Sequence, residues 1–151
     1  MPPEPEGPQD DRPPADEKLI LVVDDDEGVR ELLAHLLFTE GFQIEAAADG
    51  KEAMERIGER DPDLVILDLM LPGQGGYEVL RRLQEGETAR RIPVLVITAR
   101  SIDQTTEAVI RQESNVRGFV RKPFESEAMI QEFHKLLGTR PSSKIGRKPS
   151  K

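Results

Sequence analysis

The sequence predicts an α/β fold: an open, five-stranded parallel sheet, doubly wound as (βα)5 in the flavodoxin-like manner, with a disordered tail at each end. Three observations carry this expectation. Five short apolar runs rich in branched residues recur, at positions 19–23, 42–46, 64–67, 93–97 and 116–120, and such runs suit strands covered on both faces. The segments between them repeat their apolar residues at helical spacing. Each connection is long enough for a right-handed crossover, which keeps the strands parallel and sets helices on both sides of the sheet.

Each element has its own local justification. The first strand, Ile20-Leu21-Val22-Val23, runs straight into Asp24-Asp25-Asp26-Glu27. In the helix that follows, Val29, Leu32, Leu33, Leu36 and Leu37 mark one face, while Asp26 and Glu27 fall where an N-cap and first turn complement the helix dipole. After the second strand, Asp49-Gly50-Lys51-Glu52 reads as a capping box that starts a helix through Arg60, stopped by Asp61-Pro62. The third strand ends at Asp68, and a helix from Tyr77 to Leu83 carries Val79, Leu80 and Leu83 on one side. Between them Gln74-Gly75-Gly76 predicts a glycine-rich, mobile loop. The fourth strand leads to Thr98, then to a helix over 102–112 anchored by few apolar residues, Ile102, Val109 and Ile110. Asn115 is expected to take the left-handed conformation of a helix C-cap before the fifth strand. A last helix over 125–137 buries Met129, Ile130, Phe133, Leu136 and Leu137.

Composition narrows the classes of function. The 151 residues suffice for one domain with a real core, and 36% hydrophobic with 33% charged residues fits a globular chain. No apolar run is long enough to cross a bilayer, which argues against a membrane partner, and the start of the chain lacks the pattern of a secretion signal. With no cysteine, disulfides and thiolate metal sites are impossible, and a cytoplasmic location is expected. The formal net charge is −8, unevenly placed. Residues 1–17 are acidic and proline-rich, residues 139–151 basic, and neither holds enough apolar surface to offset ordering entropy. The expected organisation is therefore a tail over 1–17, a domain over 18–138 and a tail over 139–151. A solvated end is the preferred reading of the basic tail over one that binds nucleic acid. His35 and His134 are expected to be surface or half-buried helix residues.

In such sheets ligands sit beyond the carboxyl ends of the strands. There the sequence sets Asp24, Asp25 and Asp26 after strand one, Asp68 after strand three, Thr98 after strand four and Lys122 after strand five. Clustered carboxylates repel unless a cation is bound. Hard oxygen donors in a small cleft suit Mg²⁺, and a lysine with a hydroxyl opposite it can hold phosphoryl oxygens. Phosphoryl transfer onto a carboxylate uses all of these parts.

With "ILVVDDDEGVRELL", "PDLVILDLMLPGQGGYEVLRRL", "IPVLVITA" and "FVRKPF" in this order, the chain resembles the response-regulator receiver domains of two-component signalling, of the single-domain, chemotaxis-regulator type. The resemblance covers residues 18–138. It implies that Asp68 is the phosphoacceptor, taking a phosphoryl group from the phosphohistidine of a histidine kinase or histidine phosphotransfer protein. It implies Mg²⁺ held by Asp24, Asp25, Asp68 and the backbone carbonyl of Met70, with Asp24 acting mainly through water. Lys122 would pair with the phosphoryl group, its bond to Pro123 being cis. Thr98 and Phe119 would switch inward together, with small Ala99 leaving room for the phosphate. The resulting surface change would engage a downstream target protein or a phosphorylation-dependent homodimer.

Departures from the family pattern are informative too. Asn115-Val116-Arg117-Gly118 replaces an acid-containing run that often precedes the switch aromatic, which changes the expected output face. Met70 and Arg100 occupy the two positions that influence acyl-phosphate lifetime in the family, and neither suits orienting a water, so slow self-dephosphorylation is expected. Nothing after Gly138 is long enough to fold as an output domain, so the expectation is a signalling module rather than a metabolic enzyme. Two competing readings are a docking module that works without phosphorylation and a haloacid-dehalogenase-type phosphatase. In the latter Asp24 would be the nucleophile and Asp26 the acid.

Overall fold

A computed structural model describes residues 10–71, 75–99 and 102–141. It contains β1 (Leu19–Val23), α1 (Glu27–Thr39), β2 (Gln43–Ala47), α2 (Gly50–Glu59), β3 (Leu64–Asp68), α3 (Gly75–Glu85), β4 (Val94–Thr98), α4 (Gln104–Arg111), β5 (Val116–Arg121) and α5 (Ser126–Leu137). All strand pairings are parallel, in the order β2-β1-β3-β4-β5. The chain therefore moves to one side of β1 and then crosses to the other, so the order reverses between β1 and β3. That is where the crevice of an open α/β sheet lies.

Two apolar layers hold the sheet. On one face Leu33, Leu36 and Leu37 of α1 and Met129 and Phe133 of α5 cover Ile20, Val22, Leu64, Ile66, Leu95 and Ile97. On the other, α2, α3 and Ile110 of α4 cover Leu21, Val23, Val65, Leu67, Val94 and Val96. The alternation follows from the two-residue period of a strand. Every residue of β1, β3 and β4 is buried, as branched apolar runs require, but β2 and β5 stand at the edges and are only partly covered. The expectation of five doubly covered strands thus holds for the three central ones.

Local details correct other expectations. Phe42 precedes β2 rather than starting it, and it packs edge-on to Phe133 with ring centroids 6.4 Å apart. Gly75 and Gly76 are the first residues of α3 and not a loop, and Gly76 is buried. A Cβ there would stand 2.6 Å from the Cα and carbonyl oxygen of Leu69. Glycine is needed at this position for close backbone approach, not for mobility; Gln74 lies outside the described residues. At α2, Asp49 accepts from the Glu52 N–H at 2.8 Å, but Glu52 reaches back to the Ala48 N–H at 2.9 Å, one residue beyond the partner of the expected box. Asn115 is not left-handed, since no described residue other than glycine has positive φ. It is buried instead, accepting from Gln84 Nε2 at 3.1 Å.

His134 is another correction, because it is buried rather than on the surface or half-buried. Its Nε2 lies 2.7 Å from Glu40 Oε1 and its Nδ1 2.8 Å from Thr139 Oγ1. Residues on either side of 18–138 also make contacts with the rest of the fold and with each other. A 3-10 turn at Ala15–Glu17 buries Ala15, Thr139 is buried, and the Arg140 N–H donates to the Pro13 carbonyl at 3.0 Å. The rest of the two expected tails, residues 1–9 and 142–151, lies outside the described residues.

Candidate functional site

The carboxyl ends of β1, β3, β4 and β5 bring together Asp24, Asp25, Asp68, Thr98 and Lys122. Asp24 and Asp68 are buried, while Asp25 is exposed at the mouth. One carboxylate oxygen from each of the three lies within 4.8 Å of the others. Asp24 Oδ1 accepts from the Asp26 N–H at 2.8 Å, and Asp68 Oδ1 from the Met70 N–H at 2.9 Å. Lys122 Nζ lies 3.0 Å from Asp24 Oδ2, a charge contact, and donates to Asp68 Oδ2 at 3.2 Å. The Lys122 N–H donates to the Thr98 carbonyl at 2.8 Å, which seats the lysine beside the threonine. The Lys122–Pro123 bond is cis, as expected.

The local electrostatics follow from this crowding. Burial, with the negative charge of Asp68 adding to it, pushes the Asp24 carboxyl up despite hydrogen bonding to Asp26 and Lys122. Partial burial works against the charge on Lys122, but Asp24 and Asp68 outweigh it and hold the ammonium above the usual lysine range. Within the cluster one ammonium thus faces three carboxyl groups, and the deficit matches one divalent cation. Thr98 Oγ1 is buried and has no hydrogen-bond partner among the described residues. A buried, unpaired hydroxyl is costly, so this site is built to receive another polar group. Hard carboxylate donors, a lysine and an unpaired hydroxyl fit a small divalent cation together with a phosphoryl group.

Of the other sequence-predicted residues, some lie around this centre and one lies outside the described residues. Asp26 caps α1, its Oδ1 accepting from Gly28 and Val29 N–H groups at 2.8 and 3.3 Å. Met70 is 57% exposed at the rim. Phe119 is half-buried against the layer that α2, α3 and α4 cover. Arg100 lies outside the described residues. Sequence reading missed Arg30, whose Nη1 donates to the Asp24 carbonyl at 2.7 Å and steadies the turn between the first two acids. The available signal was its position, next to Val29 in the second turn of a helix that starts at the acidic edge. It also missed Glu107, Arg111 and Arg121, which surround Phe119. Among the described residues no helix is long and apolar enough to cross a membrane.

Comparison with known proteins gives a consistent picture. The model of the response regulator receiver domain matches residues 20–134. Response regulator MprA of Mycolicibacterium vanbaalenii is 41% identical over 118 residues, covering 78% of this chain and 49% of the relative. The chain therefore spans about half the length of the curated relatives it matches. Among solved structures, a Chloroflexus aurantiacus protein described as a response regulator is 30% identical with a TM-score of 0.73, over 80% of this chain and 98% of that one. The signal receiver domain of a Syntrophus aciditrophicus signal transduction histidine kinase is 28% identical with a TM-score of 0.71, over 89% and 96%.

Proposed function

The chain belongs to the response-regulator receiver family, and from that premise we propose that it is a phosphoacceptor whose Asp68 takes a phosphoryl group from the phosphohistidine of a kinase or phosphotransfer protein. The observation that carries this reading is the convergence of two buried acids, one ammonium and an unpaired threonine hydroxyl on one crevice. In the step, an Asp68 carboxylate oxygen bonds to phosphorus while the phosphorus–nitrogen bond breaks. The electron pair leaves with the imidazole nitrogen of the donor. Lys122, already 3.2 Å from Asp68, balances charge on the transferring group. Thr98 Oγ1 gains in the phosphoryl oxygen the partner it lacks. Asp24, Asp25, Asp68 and the Met70 carbonyl would hold Mg²⁺, which when bound offsets negative charge on the incoming group. Arg30 steadies the Asp24 backbone, and the Met70 N–H orients Asp68.

Such transfer makes the domain a switched signalling module, consistent with its family. Filling the gap at Thr98 favours an inward Thr98 and Phe119 and remodels the α4–β5 surface, a population shift between two packings. A downstream target or a second copy of the chain then reads that surface, in the cytoplasm. The phosphatase reading fits the geometry poorly, because the Asp26 carboxylate is taken up in capping α1.

The test is Mg²⁺-dependent phosphorylation by a small acyl-phosphate donor, read by intact mass, with Asp68→Ala alongside. One phosphate on the wild type, and none on the variant or without metal, is the expected result. Phosphate retained by Asp68→Ala would point to Asp24 and to the phosphatase chemistry. No phosphate on a chain that binds Mg²⁺ would leave the docking module as the better account.

A further inference from the structure

Phe119, the proposed switch aromatic, is held by charge. Arg111 of α4 places its guanidinium carbon 4.9 Å from the ring centroid, and Arg121, two residues along β5, places its own at 5.8 Å. Both are within reach of cation–π attraction. One carboxylate ties the two cations together: Arg111 Nε donates to Glu107 Oε2 at 2.7 Å, and Arg121 Nη2 donates to Glu107 Oε1. Arg121 Nη1 also donates to the Ile102 carbonyl at 3.4 Å, just before α4.

The sheet register gives this group its meaning. Val96 pairs with Phe119 and Thr98 with Arg121, so the network begins directly across from the unpaired threonine. The apolar seat of α4 is small, because Ile110 is its only buried residue. A polar network that bridges α4 to β5 is therefore a large share of what positions that helix.

We propose that Glu107, Arg111 and Arg121 form an ionic clamp that holds α4 and a half-buried Phe119 in the packing described here, short of an inward turn toward Thr98, and so opposes phosphoryl uptake at Asp68. The inference rests on the phosphoacceptor reading above. The contact at stake is the one from Arg111, which reaches the ring from α4, whereas Arg121 already stands across from Thr98 on β5. Linkage then runs in both directions: whatever opens the clamp strengthens phosphoryl binding, and phosphoryl binding opens the clamp. Since Glu107 and the arginines are partly exposed, salt should weaken the clamp.

The test uses beryllofluoride with Mg²⁺ as a phosphoryl analogue and compares the full chain with Glu107→Gln, Arg111→Gln and, as a control, Glu78→Gln, which loses two ion pairs on α3. At low salt the first two variants should bind the analogue roughly three- to ten-fold more tightly, the range open to a few exposed charge contacts. That gain should shrink at about 0.5 M salt, where screening is short-ranged, and amides over 104–111 should exchange faster without ligand. Glu78→Gln should match the wild type in both measurements. Unchanged analogue affinity in Glu107→Gln, whether or not α4 exchange quickens, would overturn the clamp while leaving the phosphoacceptor reading in place. No analogue binding by the wild type would overturn that reading, and the clamp with it.

Discussion

Gly76→Ala isolates the reason for a glycine beside Asp68, the proposed phosphoacceptor. Its added Cβ would stand 2.6 Å from the Leu69 Cα, 2.6 Å from the Leu69 carbonyl oxygen and 2.8 Å from the Asp68 carbonyl oxygen. All three are backbone atoms, so no side-chain rotation relieves the overlap. Either α3 lifts away or the segment after β3 shifts. Overpacking of this kind costs about 1–3 kcal/mol, and with only backbone to move the upper end is expected. For a domain of this size about 3 kcal/mol corresponds to roughly 10 °C in Tm. The same shift would move Asp68, so acyl-phosphate labelling should slow as well. Gly58→Ala is the matched contrast, because it lies in α2 with nothing within 4 Å of the new Cβ. It should raise stability by up to about 1 kcal/mol through helix propensity alone. The assay is thermal unfolding by circular dichroism for both variants, followed by intact-mass labelling at a temperature where both are folded. If Gly76→Ala melts with the wild type and labels at the same rate, close approach is not why glycine stands there.

Other outcomes follow from single contacts. Asp26→Ala removes the α1 cap and should cost about 1 kcal/mol while leaving Mg²⁺ affinity unchanged in calorimetry; a large loss of affinity would make Asp26 a ligand. Met70→Asn replaces an exposed thioether at the rim with a group able to orient water, so the acyl phosphate should decay faster, and an unchanged decay rate would count against shielding by Met70. Glu107 gives a pH dependence. The Arg111 guanidinium, helped by Arg121, holds its carboxyl below the ordinary glutamate value of 4.5. A depressed folded pKa contributes stability above the unfolded value that is lost as pH falls through the folded one. Protection of the amides over 104–111, taken as exchange relative to the intrinsic rate at each pH, should therefore hold at pH 5 and fall only below the ordinary glutamate value. A loss of protection already at pH 6 would refute this assignment.

The parts of the fold legible in the sequence were those written in local patterns. β1, β3 and β4 could be read because buried parallel strands are nearly continuous apolar runs, and the two acidic caps because their donors lie within three residues. The acids, threonine and lysine of the crevice were legible because each stands at the end of a strand or just beyond it. What escaped depends on distance through space. Gly76 looked like a loop residue because its neighbour, the Leu69 backbone, comes from the other side of a turn. His134 looked peripheral because its partner Glu40 is 94 residues away, although its spacing from Ile130 and Leu137 already put it on the apolar stripe. The charges around Phe119 each read as ordinary solvated helix or strand residues. Only the packing of α4 on β5 brings them together at one ring.

The same register separates the proposed chemistry from its readout. Asp24, Asp68 and Lys122 continue the alternation of Ile20 and Val22, Leu64 and Ile66, and Val120, whose side chains meet α1 and α5. Thr98, Phe119 and Arg121 continue the alternation of Val94 and Val96, whose side chains meet α2, α3 and α4. The two sets meet only where the strands end and side chains of either phase can turn over the sheet edge. A phosphoryl group on Asp68 would thus sit on one phase and be sensed from the other, through the Thr98 hydroxyl, which has no partner among the described residues. The central strands are rigid because both faces are packed, so they cannot carry a displacement themselves. β5 and α4 can, since β5 is an edge strand with partly exposed side chains and α4 has a single buried anchor. The element best able to move is therefore the one next to Thr98, and the charges proposed to restrain it are partly exposed. Changes to those charges should alter the switching balance without disturbing either apolar layer.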